Sequence, residues 1–331
     1  MKIYDCFTFF TELDLLEIRL NILDSVVDKF VLVEMAYNHM KEPKPFYYEE
    51  NKERYKKFEN KIIHIKVTDL PEPIPSKLCD NGNKWQLENY QRDCIMRGLK
   101  DAADDDVVMI SDLDEIPNPE MIKNYKDGIQ VFHQAMMYYF LNNINIVDSV
   151  WKNGTRIGHF SDLKNPNQDL RDECCYEYSK KGMPTYFRFC KGTVVENAGW
   201  HFSYCGGIDA IIRKRNSIAE QNFNTKKNMQ PEQIKRKIYS GRDILDRKYY
   251  YKIVKIDDFF PEYIRNNQDK YNHLILNSTF KYKILNFFVL WEYRLYCISQ
   301  LFKANCKKIE KKVRKTLSPV KRFVLRKGKY E

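Results

Sequence analysis

Four apolar runs, at 2 to 10, 29 to 36, 61 to 67 and 107 to 110, have the length and the β-branched and aromatic content of buried strands. Helical patterns separate them at 12 to 23, 49 to 58 and 84 to 100. This alternation predicts a βαβαβαβ order, which builds a mainly parallel central sheet with right-handed crossovers and helices on both faces. Ligand sites in such α/β folds gather at the carboxyl ends of the strands. The segment 68 to 83, with Pro71, Pro73, Pro75 and Gly82, is expected as a loop on that rim. Asn118, Pro119 and Glu120 then supply an N-cap, a first-turn proline and a first-turn acid for a new helix. Mixed, aromatic-rich strands are expected from there to about 204, and a further helix over 209 to 220. The expected organisation is a domain over 1 to 280, with halves at 1 to 117 and 118 to 280, followed by a tail over 281 to 331.

Charge changes this picture only at the end of the chain. The formal net charge is +11, but 281 to 331 holds 15 Lys and Arg against 3 acids, leaving 41 basic and 42 acidic residues before it. A basic face spread over the fold, and with it a nucleic-acid partner for the body, is therefore excluded. Nine Cys without a single C-x-x-C argue against a disulfide framework and a cysteine zinc site, so reduced, buried thiols are expected. No run approaches about 18 consecutive apolar residues and no secretory leader pattern opens the chain, which predicts a cytoplasmic location.

Ser111-Asp112-Leu113-Asp114-Glu115 closes the fourth apolar run, so its carboxylates project from a strand end. Two Asp at i and i+2 are costly together unless a cation sits between them. Mg²⁺ or Mn²⁺, shared with substrate phosphate, answers that cost; a solvated turn is the plainer alternative. Arg92 falls within the apolar stripe of Trp85, Ile95, Met96 and Leu99 and needs an anion, either a structural carboxylate or a substrate phosphate or sugar. Asp5 and Glu34 interrupt apolar strands near their ends, where they either meet a nucleoside or cap the next turn. Alternation in Gly199-Trp200-His201-Phe202-Ser203-Tyr204 separates His201 and Ser203 from the aromatic face, leaving His201 as a structural histidine or a metal or phosphate contact. Gly206-Gly207-Ile208-Asp209 turns into a helix, making Asp209 a cap or a general base, with Asp169, Asp172 and Glu173 next in line.

Taken together, Tyr4-Asp5-Cys6-Phe7, the stretch from Glu12 to Leu20, Phe30-Val31-Leu32-Val33-Glu34, Lys44-Pro45, Trp85, Gln91-Arg92, the Ser111 to Pro117 motif, Gly199 to Ser203 and Pro261-Glu262-Tyr263-Ile264 resemble glycosyltransferase family 17 over roughly 1 to 276. This is the family of the β-1,4-mannosyl-glycoprotein 4-β-N-acetylglucosaminyltransferases. The resemblance implies a GT-A-like nucleotide-diphosphosugar fold, with 1 to 117 binding the nucleotide sugar and 118 to 280 facing the acceptor. It further implies an inverting, metal-dependent transfer from a UDP-sugar, with GlcNAc as the sugar, to a glycan or glycolipid. In that scheme Asp112, Asp114 and His201 hold the metal, Asp5, Glu34, Arg92 and Asp112 bind the donor, and Asp209 is the base. Two features depart from the family pattern. Glu220-Gln221 stand where bacterial relatives have His followed by Gln, and the N-terminal membrane anchor of the animal members is not seen.

Two other classes of function compete. A haloacid-dehalogenase-type phosphohydrolase also uses D-x-D at a strand end, but it wants Thr or Val where Ile116 stands, and its motif belongs on the first strand. A non-enzymatic membrane or polyanion adaptor would act through the tail alone. The stretch 284 to 302 is apolar and aromatic but carries Glu292 and Arg294, and 303 to 329 adds 12 basic residues against Glu310 alone. An interfacial helix over 284 to 302 followed by a polybasic segment over 303 to 329, attached at the inner face of an anionic membrane, is the expectation there; packing of 284 to 302 on the catalytic domain, with only the basic end loose, is the plainer alternative.

Overall fold

The computed structural model describes residues 1 to 39, 41 to 69, 82 to 164, 184 to 217, 230 to 277 and 280 to 327. The chain opens with β1 (Ile3–Phe9), α1 (Leu13–Leu23), β2 (Lys29–Met35), a short α2 (Tyr47–Glu50) followed by a 3₁₀ segment at Lys52–Phe58, and β3 (Ile62–Val67). Next come α3 (Gly82–Asp93), a 3₁₀ turn at Cys94–Gly98, β4 (Val107–Asp112), β5 (Glu115–Pro117), α4 (Pro119–Lys123), β6 (Gln130–Phe132), β7 (Gln134–Tyr138), β8 (Asn143–Asn145) and β9 (Val150–Trp151). They are followed by β10 (Arg156–His159), α5 (Phe160–Lys164), α6 (Pro184–Phe189), β11 (Thr193–Val195), β12 (Gly199–Ser203), α7 (Gly207–Ser217), α8 (Pro231–Ser240), β13 (Tyr251–Ile253), α9 (Glu262–Asn266) and α10 (Phe280–Lys327).

The first strands form the parallel array β3-β2-β1-β4, which β10, antiparallel to β4, extends toward β6 and β11. Both faces of β2, β1 and β4 are buried, which is why these strands read as near-continuous apolar runs, while β3 at the edge is half-buried. Phe7, Phe9, Phe30, Leu32, Val107 and Met109 enter one core with Leu15, Leu16 and Ile18 of α1. Their neighbours Cys6, Val31, Val33, Val108 and Ile110 enter a second core with Leu87 of α3 and with Ile95 and Leu99 just beyond it. Each fully buried Leu or Ile contributes about 2 kcal/mol of transfer free energy, so the two cores fix the strand order. The expected GT-A-like α/β architecture thus holds, with helices on both faces of a mainly parallel sheet. The helix expected over 49 to 58 is instead an α-turn and a 3₁₀ segment. The one expected over 84 to 100 runs Gly82–Asp93 and tightens to 3₁₀ for its last turn.

A second sheet, β13-β8-β7-β12-β5, carries the later half. At its edge the Asn118 side chain accepts from Glu120 N at 3.0 Å with Pro119 behind it, the cap expected from sequence. Gly199 (φ +146°) lets β12 approach β5: a Cβ there would stand 2.3 Å from Ile116 O. That approach pairs His201 with Glu115 across the two strands.

By packing, the chain divides into two units, one of 1 to 238 with 242 to 277 and one of 239 to 241 with 278 to 331. The second is dominated by α10, a single helix of 48 residues. Among the described residues no helix is long and apolar enough to cross a membrane. The described cysteines are free, with Cys6, Cys94, Cys190 and Cys205 buried.

Candidate active site

The D-x-D segment is held from below by an arginine. Arg19 projects from the otherwise apolar face of α1 and is fully buried. Its guanidinium meets both Asp5 oxygens at 2.6 and 2.8 Å, donates to Ser111 Oγ, and reaches the carbonyls of Asp112, Leu113 and Glu115 at 2.7 to 3.1 Å. A planar donor fork that satisfies one carboxylate and three turn carbonyls fixes the backbone between β4 and β5. Asp112 and Asp114 therefore leave the strand end in set directions.

Cations meet each carboxylate from above. Arg92 of α3 donates to Asp112 Oδ1 at 3.1 Å and also to Glu88 and Asn89. Arg188 of α6 donates to Glu115 Oε1 at 2.5 Å and lies 3.9 Å from Asp112 Oδ2. Lys214 of α7 bridges Asp114 Oδ2 at 3.1 Å and Glu12 Oε1 at 3.3 Å. His201 Nε2 stands 3.4 Å from Asp114 Oδ1, and its buried Nδ1 has no partner among the described residues. Trp151 donates to Glu115 Oε1 and its ring lies 4.8 Å from that of His201.

These contacts set the protonation states. Burial alone would raise the Asp112 carboxyl, but Arg92 and then Arg188 outweigh it and hold it below its ordinary value. Burial opposes the charge on Asp114 too, yet Lys214 and His201 drive its carboxyl far below the usual carboxylate range. For Glu115 burial prevails and its carboxyl is raised despite Arg188. Burial also disfavours the Lys214 charge, and Asp114 with Glu12 reverses this to push the ammonium well above its ordinary value.

A cavity of about 400 Å³ opens over this array. Its floor is Asp112, Leu113 and Asp114; one wall carries Phe10, Tyr37, Asn38, His39 and Lys44 beyond β1 and β2, and the other Met136, Tyr138, Trp151, His201 and Tyr204. Glu12 and Glu88 also line it. A larger groove of about 1020 Å³ lies along Trp200, on the opposite side of β12, but its acids Glu120, Asp258 and Glu262 are exposed. The two carboxylates, Asp114 largely buried and Asp112 open to the cavity, with the cations paired to them, mark the smaller cavity as the candidate site.

The donor set answers whether a divalent cation fits. Both Asp supply hard oxygens, and the Asp112 side chain keeps 38% of its surface exposed at the cavity. Among the described residues no group of three His, Cys, Asp or Glu is arranged to hold a metal by itself. Two carboxylates that leave the remaining positions to phosphate oxygens and water are how Mg²⁺ is commonly held with a nucleotide, so the residues fit a cation that arrives with a diphosphate.

Several residues singled out in the sequence do not stand where expected. Asp5 is fully buried under Arg19 and does not line the cavity, so a nucleoside contact is replaced by a structural ion pair. Glu34 is also fully buried and accepts from Tyr47 N, Tyr48 N, Lys44 and His64; it is the cap of the next turn. Asp209 sits exposed in the first turn of α7, outside the cavity lining. Asp112, Asp114, Arg92 and His201 do converge. Asp169, Asp172, Glu173 and Glu220-Gln221 lie outside the described residues. Arg19, Arg188, Lys214, Glu12 and Trp151 were not singled out as site residues, although Glu12 and Arg19 fall in the family-like stretch from Glu12 to Leu20 and Arg19 and Arg188 each stand as a cation between apolar residues.

The mainly parallel α/β sheet places the D-x-D turn at the carboxyl end of β4, where ligand sites of open α/β folds lie, facing a cation-rimmed cavity. The chain belongs to glycosyltransferase family 17, whose family model matches residues 1–279. It is similar to the β-1,4-mannosyl-glycoprotein 4-β-N-acetylglucosaminyltransferases of Rattus norvegicus and Homo sapiens, each 22% identical over 297 residues, 80% of this chain and 53% of the relative. The chain thus spans about half the length of these curated relatives. Among solved structures, a 4-diphosphocytidyl-2C-methyl-D-erythritol synthase aligns over 59% of this chain and 89% of its own at 9% identity, with a TM-score of 0.33. The 2-C-methyl-D-erythritol 4-phosphate cytidylyltransferase of Francisella tularensis aligns over 59% and 90% at 12% identity, with a TM-score of 0.28.

Proposed function

We propose that this chain is an inverting, metal-dependent glycosyltransferase that moves GlcNAc from UDP-GlcNAc to a hydroxyl of a glycan or glycolipid acceptor. The observation that carries this reading is the pair Asp112 and Asp114, rigidly presented at the end of β4 into a cavity rimmed by Arg92, Arg188 and Lys214.

Asp112 and Asp114 would hold Mn²⁺ or Mg²⁺ with the donor diphosphate. The cation supplies charge neutralisation at the leaving phosphate oxygens. Arg92 and Arg188, positioned before substrate arrives, add fixed positive charge at the same place and need little reorganisation as the sugar departs. Phe10, Tyr37 and Asn38 form the wall for the base and ribose, in place of Asp5 and Glu34. Met136, Tyr138, Trp151 and Tyr204 give the opposite wall apolar faces suited to sugar rings. His201 lines the cavity with Nε2 3.4 Å from Asp114, where it would steady that carboxylate.

The general base is assigned to Glu12. It lines the cavity beside Lys214, which also lies 5.4 Å from the Tyr204 ring on the acceptor wall. Asp209, exposed and outside the cavity, is the weaker candidate.

The test is a donor screen reading nucleotide release from UDP-, GDP-, dTDP- and CMP-sugars, with and without EDTA. Turnover of UDP-GlcNAc that EDTA abolishes and Mn²⁺ restores supports the reading. Turnover of another nucleotide sugar only, or turnover that EDTA leaves unchanged, contradicts the donor or the metal respectively.

A further inference from the structure

The second unit presents an apolar face that its own helix leaves uncovered. Ile284, Phe288, Trp291, Leu295, Ile298 and Phe302 of α10 are 44 to 70% exposed. Their spacing of four and three residues in alternation sets them in one stripe of the helix. Exposed large apolar groups in this register mark a surface that is covered in use.

Charge identifies the cover. Lys303, Lys307 and Lys308 directly follow the stripe and are exposed. The same helix continues to Lys327, and in the sequence 303 to 329 carries 12 Lys and Arg against Glu310 alone. A second copy laid parallel along this helix would oppose cation to cation, and an antiparallel one would cover the stripe but leave the basic stretch without a partner. A nucleic acid would use the cations but leave Phe288, Trp291 and Phe302 in water. An anionic lipid surface satisfies both halves, since acyl chains take the aromatic stripe and headgroups the lysines. Glu292 and Arg294 keep the apolar segment from crossing, consistent with the absence of a spanning helix among the described residues. The helix is about 70 Å long at 1.5 Å per residue, room enough for both signals side by side.

We infer that α10 is an interfacial helix that docks this chain on an anionic membrane, the stripe from Ile284 to Phe302 entering the acyl boundary and the basic stretch holding the headgroups. Trp291 sits within the stripe and reports its immersion.

The experiment uses the full chain with vesicles of phosphatidylcholine alone and of phosphatidylcholine with phosphatidylglycerol, read by co-sedimentation, tryptophan emission and light scattering. Binding is expected to the phosphatidylglycerol vesicles only, weakening as salt is raised, with a blue-shifted emission. Trp291→Phe should keep the binding and lose the shift. The double variant Leu295→Glu/Ile298→Glu, with its helix content and melting checked by circular dichroism, should partition about tenfold more weakly or worse, two buried apolar side chains having been replaced by anions. Absence of binding by the wild-type chain at low salt, equal binding by the double variant, or binding without a Trp291 shift would each overturn the inference. A wild-type dimer that the double variant dissolves, without vesicle binding, would assign the stripe to a second copy instead.

Discussion

Lys214 Nζ lies 3.1 Å from Asp114 Oδ2, so in the absence of substrate a lysine ammonium supplies the positive charge that the second D-x-D carboxylate requires. Removing one member of a largely buried ion pair leaves the other uncompensated. Lys214→Met should lower stability by about 2 to 4 kcal/mol without metal. Mn²⁺ should then raise its melting temperature more than that of the wild-type chain, because the divalent ion takes over the missing charge. Scanning fluorimetry with and without Mn²⁺ measures both effects; an unshifted, metal-insensitive variant would remove Lys214 from this role.

Asp5 separates structure from ligand binding in the opposite sense. Asp5→Asn breaks a fully buried, two-pronged pair with Arg19, and should cost about 3 to 5 kcal/mol. Folded Asp5→Asn protein should bind UDP with little change, because the side chain does not reach the cavity. Denaturant melts and UDP titration on the same preparation decide this, and a UDP affinity that collapses while stability holds would restore Asp5 to the nucleoside.

How far these roles were legible in the sequence depended on whether a residue's partners were local. The strands β1, β2 and β4 stood out because burial on both faces removes polar positions from most of their length, and the edge strand β3 because of Ile62, Ile63, Ile65 and Val67. Asp112 and Asp114 stood out because D-x-D directly follows such a run, and Arg92 because it breaks an apolar helical stripe. Asp5 and Glu34 looked like ligand-binding acids for the same reason, and only the tertiary structure reveals that Arg19 and the turn at Tyr47 take them. Lys214 left no signal, since it lies among Arg213, Arg215 and Asn216 and acquires its meaning from a carboxylate 100 positions away; Arg188 stands between Phe187 and Phe189, but its partner Glu115 lies 73 positions away.

The base assignment distinguishes two acids. Glu12→Gln should lower the transfer rate by about 10² to 10⁴ with donor binding retained. Asp209→Asn and Asp209→Ser should transfer at close to the wild-type rate, both substitutes being good helix-terminal residues. Single-turnover rates at saturating donor make the comparison, and the reverse ranking would return the role to Asp209.

Acid stability follows from the outer face of α1. Asp14 accepts from Arg54 and His273, and Glu17 from Arg54 and Lys270. Burial raises both carboxyls, but these partners outweigh it and leave both below their ordinary values of 3.8 and 4.5. A carboxylate depressed in the folded state stabilises fully above its unfolded value and loses that contribution as the pH falls through the folded one. Melting temperature should therefore drop as the pH is taken below 4.5 and then 3.8, and the drop should be shallower in Arg54→Leu, which starts less stable. Melts over that pH range, with no difference in slope between the two proteins, would contradict the assignment.

The central claim is that Asp112 and Asp114 hold the donor diphosphate for sugar transfer. Its most direct measurement is the initial rate of UDP release from UDP-GlcNAc with Mn²⁺ for wild type, Asp112→Asn and Asp114→Asn, each normalised to folded protein by its melting transition. We expect both variants to fold and both rates to fall by about 10³ or more, the loss of several kcal/mol of transition-state stabilisation. Folded variants that release UDP at near the wild-type rate would contradict the claim.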